Sequence, residues 1–446
     1  MTGRDAFSRR GFLGGLGALG GLTALGGWPS ARASGTGAIK NATVITHEGR
    51  RLEGYGVAFQ DGHITALAPS AELPADAIDA GGAWLVPRFT DAGCKVGLYE
   101  VDLEGATHDD DESTDAVTPD ARARDGYNPA SPVIPVTRAN GVTSVLVHPS
   151  NSSLISGQAA IFRTAGLTVD DALVLAPAGL CINLGHAATG AGRGGSPATR
   201  MGVMMKLRAI FDGVQIPDEA ASAEGDKKAS KKAGKKGEDA PKKPEIKPDS
   251  ELSPADLALR DLLRGRIPAI LRAERVDDIL AALELASEWK LKAILFGGAE
   301  AHLVARELAD AKVPVLLGPV TVQPSSFETL QSRYDNAALL DRAGVRFALR
   351  TGGAHTSRTL PTSAGVAVAY GLPWESAIRS LTVGVWDILG VPSRGRMEVG
   401  GEPTFFLVDG DPLQPRFAVR RMWMAGEEIS LSTRQDRLYQ QFKTLR

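Results

Sequence analysis

Ile78-Asp79-Ala80-Gly81-Gly82-Ala83-Trp84-Leu85-Val86-Pro87-Arg88-Phe89-Thr90-Asp91-Ala92 is where the rhythm of the chain changes. Before it, residues 37–83 read as short strands between turns: 38–45 alternates and is β-branched, 56–60 stops at Asp61-Gly62, and 63–67 follows. An Asp-Gly pair between apolar runs predicts a tight hairpin, whose two turn positions need positive φ. After Trp84, short buried-type strands (142–147, 173–176, 268–271, 293–296, 313–317, 345–349) alternate with long amphipathic segments such as 276–289 and 302–311. Asp277 and Asp278 fall in a first helical turn, where the helix dipole favours acids. Strand–helix alternation sustained over roughly 300 residues predicts a TIM-type (β/α)8 barrel. Strands return at 403–408 and 418–424, and pairing them with 37–83 makes one small composite β-sandwich domain. The predicted division is β domain 37–83 and 396–446, with the barrel, 84–395, inserted between the halves.

Composition sets outer limits. Across 446 residues, 50 Lys+Arg face 52 Asp+Glu for a formal net charge of -2, which argues against a generally basic surface and against nucleic acid as a partner. The 43% hydrophobic content suffices for a large core, and only two cysteines, Cys94 and Cys181, exclude a disulfide-stapled scaffold or a Cys-rich metal site. Those two can pair only if their Cα atoms come within about 4.4–6.8 Å. Ser8-Arg9-Arg10-Gly11-Phe12-Leu13, a weakly apolar stretch over 14–28 and Ala31-Arg32-Ala33 read in order as a twin-arginine signal peptide, 1–33. The expected location is periplasmic or secreted, and the apolar stretch is too short for a stable membrane anchor. Residues 222–250 carry Lys227-Lys228, Lys231-Lys232, Lys235-Lys236, Lys242-Lys243 and Lys247 with almost no apolar residue, so a disordered, solvated insertion is expected. A basic tail gripping nucleic acid or an anionic envelope surface is the other reading of that run.

The stretch 78–92 resembles the entry to the first barrel strand in the amidohydrolase superfamily, most of all its imidazolonepropionase-like branch. Further junctions carry the same resemblance: Val117-Thr118-Pro119, Arg124-Asp125-Gly126, Asn128-Pro129, Ala139-Asn140-Gly141-Val142-Thr143-Ser144-Val145, Ile155-Ser156-Gly157-Gln158 and Asp409-Gly410-Asp411-Pro412. The resemblance implies hydrolysis by one or two divalent metals, often zinc, held by His-x-His after strand one, a His on each of two middle strands and an Asp on the last. Imidazole and carboxylate suit Zn²⁺, which lowers the pKa of bound water to about 7. The matching places here hold Gly93-Cys94-Lys95, Arg272-Ala273-Glu274, Gly297 and Gly352. Gly93, Lys95, Arg272, Gly297 and Gly352 therefore stand as lost ligand positions: glycine offers no donor, and Lys and Arg repel a dication. No metal and no other cofactor is expected.

The resemblance also places Asp91, Lys95, Gln158, Arg272, Glu274, Arg350 and His355 at the mouth of the barrel. Lys95, Arg272 and Arg350 would replace the dications electrostatically, with Glu274 and Asp91 as counter-ions, giving either a mouth suited to a small anion or plain salt bridges that stabilise a vestigial pocket. His47 and His63 are expected in surface turns, while His148 and His355 follow barrel strands, where both can face the mouth as hydrogen-bonding side chains; a displaced zinc site from His148, His186 and His355 is the alternative use of histidine. The acidic run His108-Asp109-Asp110-Asp111-Glu112, with Asp115, reads as a solvated loop near the mouth or as oxygen ligands for Ca²⁺ or Mg²⁺. Cys94 beside Lys95 is either a packed thiol or an activated one. There is no Gly-x-Ser-x-Gly elbow, and Gly192-Arg193-Gly194-Gly195-Ser196 reads as a flexible loop rather than a phosphate loop. The expectation is an exported, catalytically degenerate, metal-free amidohydrolase-fold protein, acting as a binding or partner subunit beside an active amidohydrolase paralogue or as a homo-oligomer. The alternative is an active amidohydrolase on non-peptide C–N bonds of cyclic amide-like substrates, with Lys95 or His355 as base and Arg350 as oxyanion stabiliser.

Overall fold

The structure, a computed structural model, describes residues 35–189, 197–216, 247–321 and 323–444. The predicted signal peptide, the Gly192–Ser196 loop and the Lys-rich run up to residue 246 lie outside the described residues. The first strands are β1 (Gly37–Ile45), β2 (Arg51–Gln60), β3 (His63–Pro69), β4 (Ile78–Asp79) and β5 (Trp84–Pro87). The first three form an antiparallel meander, and β4 and β5 run parallel to β1. Asp61 and Gly62 take φ of 51° and 77° between Gln60 and His63, which pair directly, as the Asp-Gly signal requires.

Eight strands then follow in spatial order: β6 (Phe89–Cys94), β7 (Val142–Val147), β8 (Ile155–Arg163), β9 (Leu173–Asn183), β10 (Ala269–Ala273), β11 (Ala293–Gly297), β12 (Val315–Leu317) and β13 (Phe347–Leu349). Neighbours are parallel except around β8, which runs antiparallel to both β7 and β9. The barrel is nearly closed: between β6 and β13, the Gly352 N–H donates to the Gly93 carbonyl at 2.9 Å. Asp91 reinforces that seam, accepting from the Thr351 N–H (3.1 Å) and hydroxyl (2.5 Å). Along the parallel strands the side chains alternate: Ile270, Ile294, Leu316 and Ala348 pack in one buried cluster, while Leu271, Leu295, Val315 and Leu349 join the cluster that holds the flanking helices. Those helices include Val276–Glu288, which carries Asp277 and Asp278 in its first turn.

The chain returns through β14 (Phe405–Val408), β15 (Val419–Met424) and β16 (Glu427–Glu428), and β14 lies antiparallel to β5 with Phe406 opposite Val86. N- and C-terminal strands thus share one sheet, the composite domain expected from their late return. Trp84–Pro87 belongs to that sheet, so the barrel's first strand opens at Phe89 rather than at residue 84. Two further expectations change. His47 is buried rather than in a surface turn, because its Nδ1 accepts from the Met397 N–H at 3.2 Å; His63 does lie exposed. Residues 247–250, expected to be disordered with the insertion, are ordered at Asp249, which ion-pairs with Arg260, Arg264 and Arg266 at 2.9, 2.8 and 3.1 Å. Charge pairing supplies there what apolar burial does not.

Arg88, only 2% exposed, stands between β5 and β6 and donates to Glu402 at 2.5 Å. Arg394 (2.7 Å) and the Thr404 hydroxyl (2.8 Å) also donate to Glu402, with Arg163 at 3.8 Å. Burial by itself would raise the Glu402 pKa, but Arg88, Arg163 and Arg394 outweigh it and hold it at about 2. A folded pKa below the unfolded value gives stability that is present above about pH 4.5 and lost as pH falls toward 2. That contribution is about 3 kcal/mol. Wild type is accordingly expected to lose more of its melting temperature than Glu402→Gln over that acid range, which a pH series of thermal melts checks.

Candidate functional site

The carboxyl ends of the parallel strands converge on a cavity of about 590 Å³. Lys95 follows β6, His148 follows β7, Arg272 sits near the end of β10 with Glu274 just beyond, and Arg350 follows β13; all five line the cavity. The fold thus brings together four of the seven mouth residues named from sequence, and joins to them His148, also expected to face the mouth.

Arg350 is 3% exposed and lies over the Phe296 ring, its guanidinium carbon 4.1 Å from the ring centroid. Its nearest anion, Glu274 Oε1, is 3.6 Å away and is shared with Arg272 at the same distance. That is an ion contact rather than a tight hydrogen bond, and the buried Arg350 Nε has no hydrogen-bond partner. Burial lowers the Arg350 pKa to about 10, with Glu274 partly offsetting it, so the group remains charged at neutral pH. Lys95, 7% exposed, donates to the His148 carbonyl at 2.8 Å and pairs with Asp110 Oδ2 at 3.1 Å. Burial brings its pKa down to about 8; Asp110 opposes that shift, and Arg272 adds to it. The His148 Nδ1 faces the Pro149 carbonyl at 2.7 Å, and a carbonyl only accepts, so Nδ1 carries the proton. Burial, then Lys95 and Arg350, holds His148 well below its usual pKa, so the ring is neutral and its Nε2 lone pair is unpartnered.

The remaining expectations meet a different geometry. Asp91 is fully buried, and its hydrogen-bond partners are Thr351 and the Gly93 N–H (3.1 Å), so it holds the seam of the barrel; of the counter-ion role, what stands is its charge acting on Arg350 against the lowering by burial. Burial raises its pKa to about 6 against the pull of Thr351 and Ser357. Gln158 is not at the mouth: β8 is reversed, so its mouth end is Ile155, and Gln158 lies further down, donating to the Pro119 carbonyl at 3.0 Å. His355 is exposed, with Nε2 2.6 Å from the Glu100 carbonyl, and does not line the cavity. Cys94 and Cys181 are both buried and free, and burial raises both thiols, so Cys94 is packed rather than activated. Among the described residues no group of three or more His, Cys, Asp or Glu is arranged to hold a metal ion, so His148, His186 and His355 are not brought together as one site and the acidic run forms no such cluster. The counter-ion missed from sequence is Asp110; the acidic run 109–112 was its signal, and the Ser150 N–H, donating to the Asp110 carbonyl at 2.6 Å, fixes the loop over the mouth.

Glycine is required at two of the presumed ligand positions. A Cβ at Gly93 would lie 2.6 Å from the Phe296 ring and 3.0 Å from Arg350 Cδ. A Cβ at Gly297, whose φ is +107°, would lie 2.5 Å from Glu274 Oε1. The Phe296 ring fills the space beside Gly93, whereas at Gly297 the positive φ, rather than the movable Glu274 carboxylate, disfavours a side chain.

A barrel with its site at the strand carboxyl ends, beside a composite β sheet, is also the architecture of known hydrolases. The chain is 29% identical to an amidohydrolase from Thermotoga maritima, over 88% of this chain and 99% of that one, with a TM-score of 0.77. It is 25% identical to the amidohydrolase tasK of Hapsidospora irregularis across 80% of its own length, but spans only 38% of that protein. Phenylurea hydrolase B shares the fold at 15% identity, with a TM-score of 0.52 over 89% of this chain and 97% of that one. No family model matches. Fold and sequence together relate the chain to the amidohydrolase superfamily.

Proposed function

We propose that this chain is a degenerate amidohydrolase-fold protein, nearest the imidazolonepropionase-like branch, whose barrel mouth binds a small anion instead of working through a divalent metal. The observation that carries it is the convergence of Lys95, Arg272 and Arg350 on one cavity, with Glu274 the carboxylate shared by the two arginines. The residues do not fit the metal the superfamily implies. At the presumed ligand positions stand a lysine tied to Asp110, an arginine and glycines, which offer no side-chain donor and of which Gly93 is closed in by the Phe296 ring and Gly297 held at positive φ. Export by the twin-arginine route, supported by Ser8–Leu13 in the sequence, and pairing with an active amidohydrolase paralogue or a second copy belong to the same reading. Elemental analysis of the chain after excess Zn²⁺ and dialysis tests it: zinc far below one equivalent is expected, and close to one equivalent would overturn the metal-free site.

A metal-free hydrolase of cyclic amide-like C–N bonds is the second reading, favoured by Lys95, whose pKa of about 8 leaves part of it available as a base near neutral pH. Turnover of a cyclic amide by chelator-treated protein, lost in Lys95→Met, would favour it over binding alone.

A further inference from the structure

We propose that Lys95 forms an imine with the carbonyl group of a small oxo acid, whose carboxylate is held by Arg272 and Arg350; this rests on the anion-binding reading above. The Lys95 amine has two protein acceptors, the Asp110 carboxylate at 3.1 Å and the His148 carbonyl at 2.8 Å. Two acceptors match the two N–H groups of a neutral amine, and its lone pair is then left for the cavity that Lys95 lines. Arg272 and Arg350 line the same cavity and supply the charge that seats an oxo acid next to that lone pair. Burial brings the amine toward neutrality in the range where carbonyl addition runs; the charged or titratable groups acting on it are Asp110, Arg272 and Cys181, and His148 adjoins it.

The chemistry balances without an oxidant or reductant. The ammonium form of Lys95 first gives its third proton to Asp110, and the lone pair so freed on the neutral amine forms a C–N bond to the carbonyl carbon as the C=O π pair moves to oxygen. That oxygen takes the proton back from Asp110 to give a carbinolamine. The hydroxyl then leaves as water, taking up one of the nitrogen-bound protons, and the nitrogen pair forms C=N. The iminium keeps one N–H and the positive charge, so its pairing with Asp110 survives.

The test is incubation of the full chain with pyruvate and sodium borohydride across pH 6–9, followed by intact-protein and peptide mass analysis. One reduced adduct per chain is expected, in the peptide containing Lys95, rising as pH passes about 8. Lys95→Arg is expected to lose it, although the variant melts cooperatively. Adducts scattered over surface lysines, unchanged in Lys95→Arg, would overturn the proposal. Malonate, which has no carbonyl to condense, separates the two readings. If malonate raises the melting temperature but pyruvate is not trapped at Lys95, the anion site stands and the imine falls. If trapping at Lys95 occurs and neither malonate nor Arg350→Met alters it, the imine stands without the carboxylate seat and the proposal as stated is overturned.

Discussion

Arg350→Met is expected to weaken malonate binding at the barrel mouth about thirtyfold, or about 2 kcal/mol, the size of a lost charge-assisted hydrogen bond. Arg350 is the buried member of the cation pair, whereas Arg272 is partly exposed and more screened by solvent. The Phe296 ring holds the guanidinium in place, so little rotamer freedom is lost when a ligand arrives. Its unpartnered Nε and long contact to Glu274 leave donors for an anion to satisfy. Methionine fills much of the aliphatic stem, and removing a buried cation leaves Glu274 still paired with Arg272, so the variant is expected to melt close to wild type. Calorimetric titration of both proteins at low salt checks this. Equal affinities would remove Arg350 from the site.

Asp91→Ala is expected to be the most destabilising of the substitutions considered, at about 4 kcal/mol near pH 4, because it strands several buried donors at once. The Thr351 hydroxyl and the N–H groups of Thr351 and Gly93 all point at this carboxyl, and they join β6 to β13 where the strand ladder is incomplete. The pH dependence has a definite sign. Burial raises the folded pKa to about 6, so the contribution of Asp91 is fully present below the unfolded value and declines as pH rises through 6. The gap in denaturation free energy between wild type and Asp91→Ala is therefore expected to narrow from pH 4 to pH 7. A gap that widens would mean that the ionised carboxylate is the stabilising form.

Much of the fold was legible because buried parallel strands leave local marks. The apolar runs at 142–147, 268–271, 293–296 and 313–317 each fall on or overlap an observed strand, and Asp61-Gly62 makes the turn its chemistry demands. The convergence of Lys95, Arg272, Glu274 and Arg350 was legible too, through a resemblance that aligned strand ends. What escaped was set by distant partners. Nothing local in residues 155–163 reports which way the strand runs, and its reversal carries Gln158 away from the mouth. Asp110 was visible as one acid among several, but only the folded loop selects it for Lys95. His47 is buried by a segment some 350 positions further along, and sequence spacing holds no trace of that meeting. The glycines at 93 and 297 could be read, but not that Phe296 and Glu274 lie where their side chains would begin.

The most direct measurement is a crystal structure of the chain grown with malonate and zinc chloride together, so that both kinds of ligand compete for the mouth. A carboxylate held by Arg272 and Arg350, with no metal at Lys95, Gly297 or Gly352, is the expected result. A zinc ion coordinated within the cavity, with malonate absent or bound to the metal, would contradict the anion site and return the chain to the metal-dependent hydrolases.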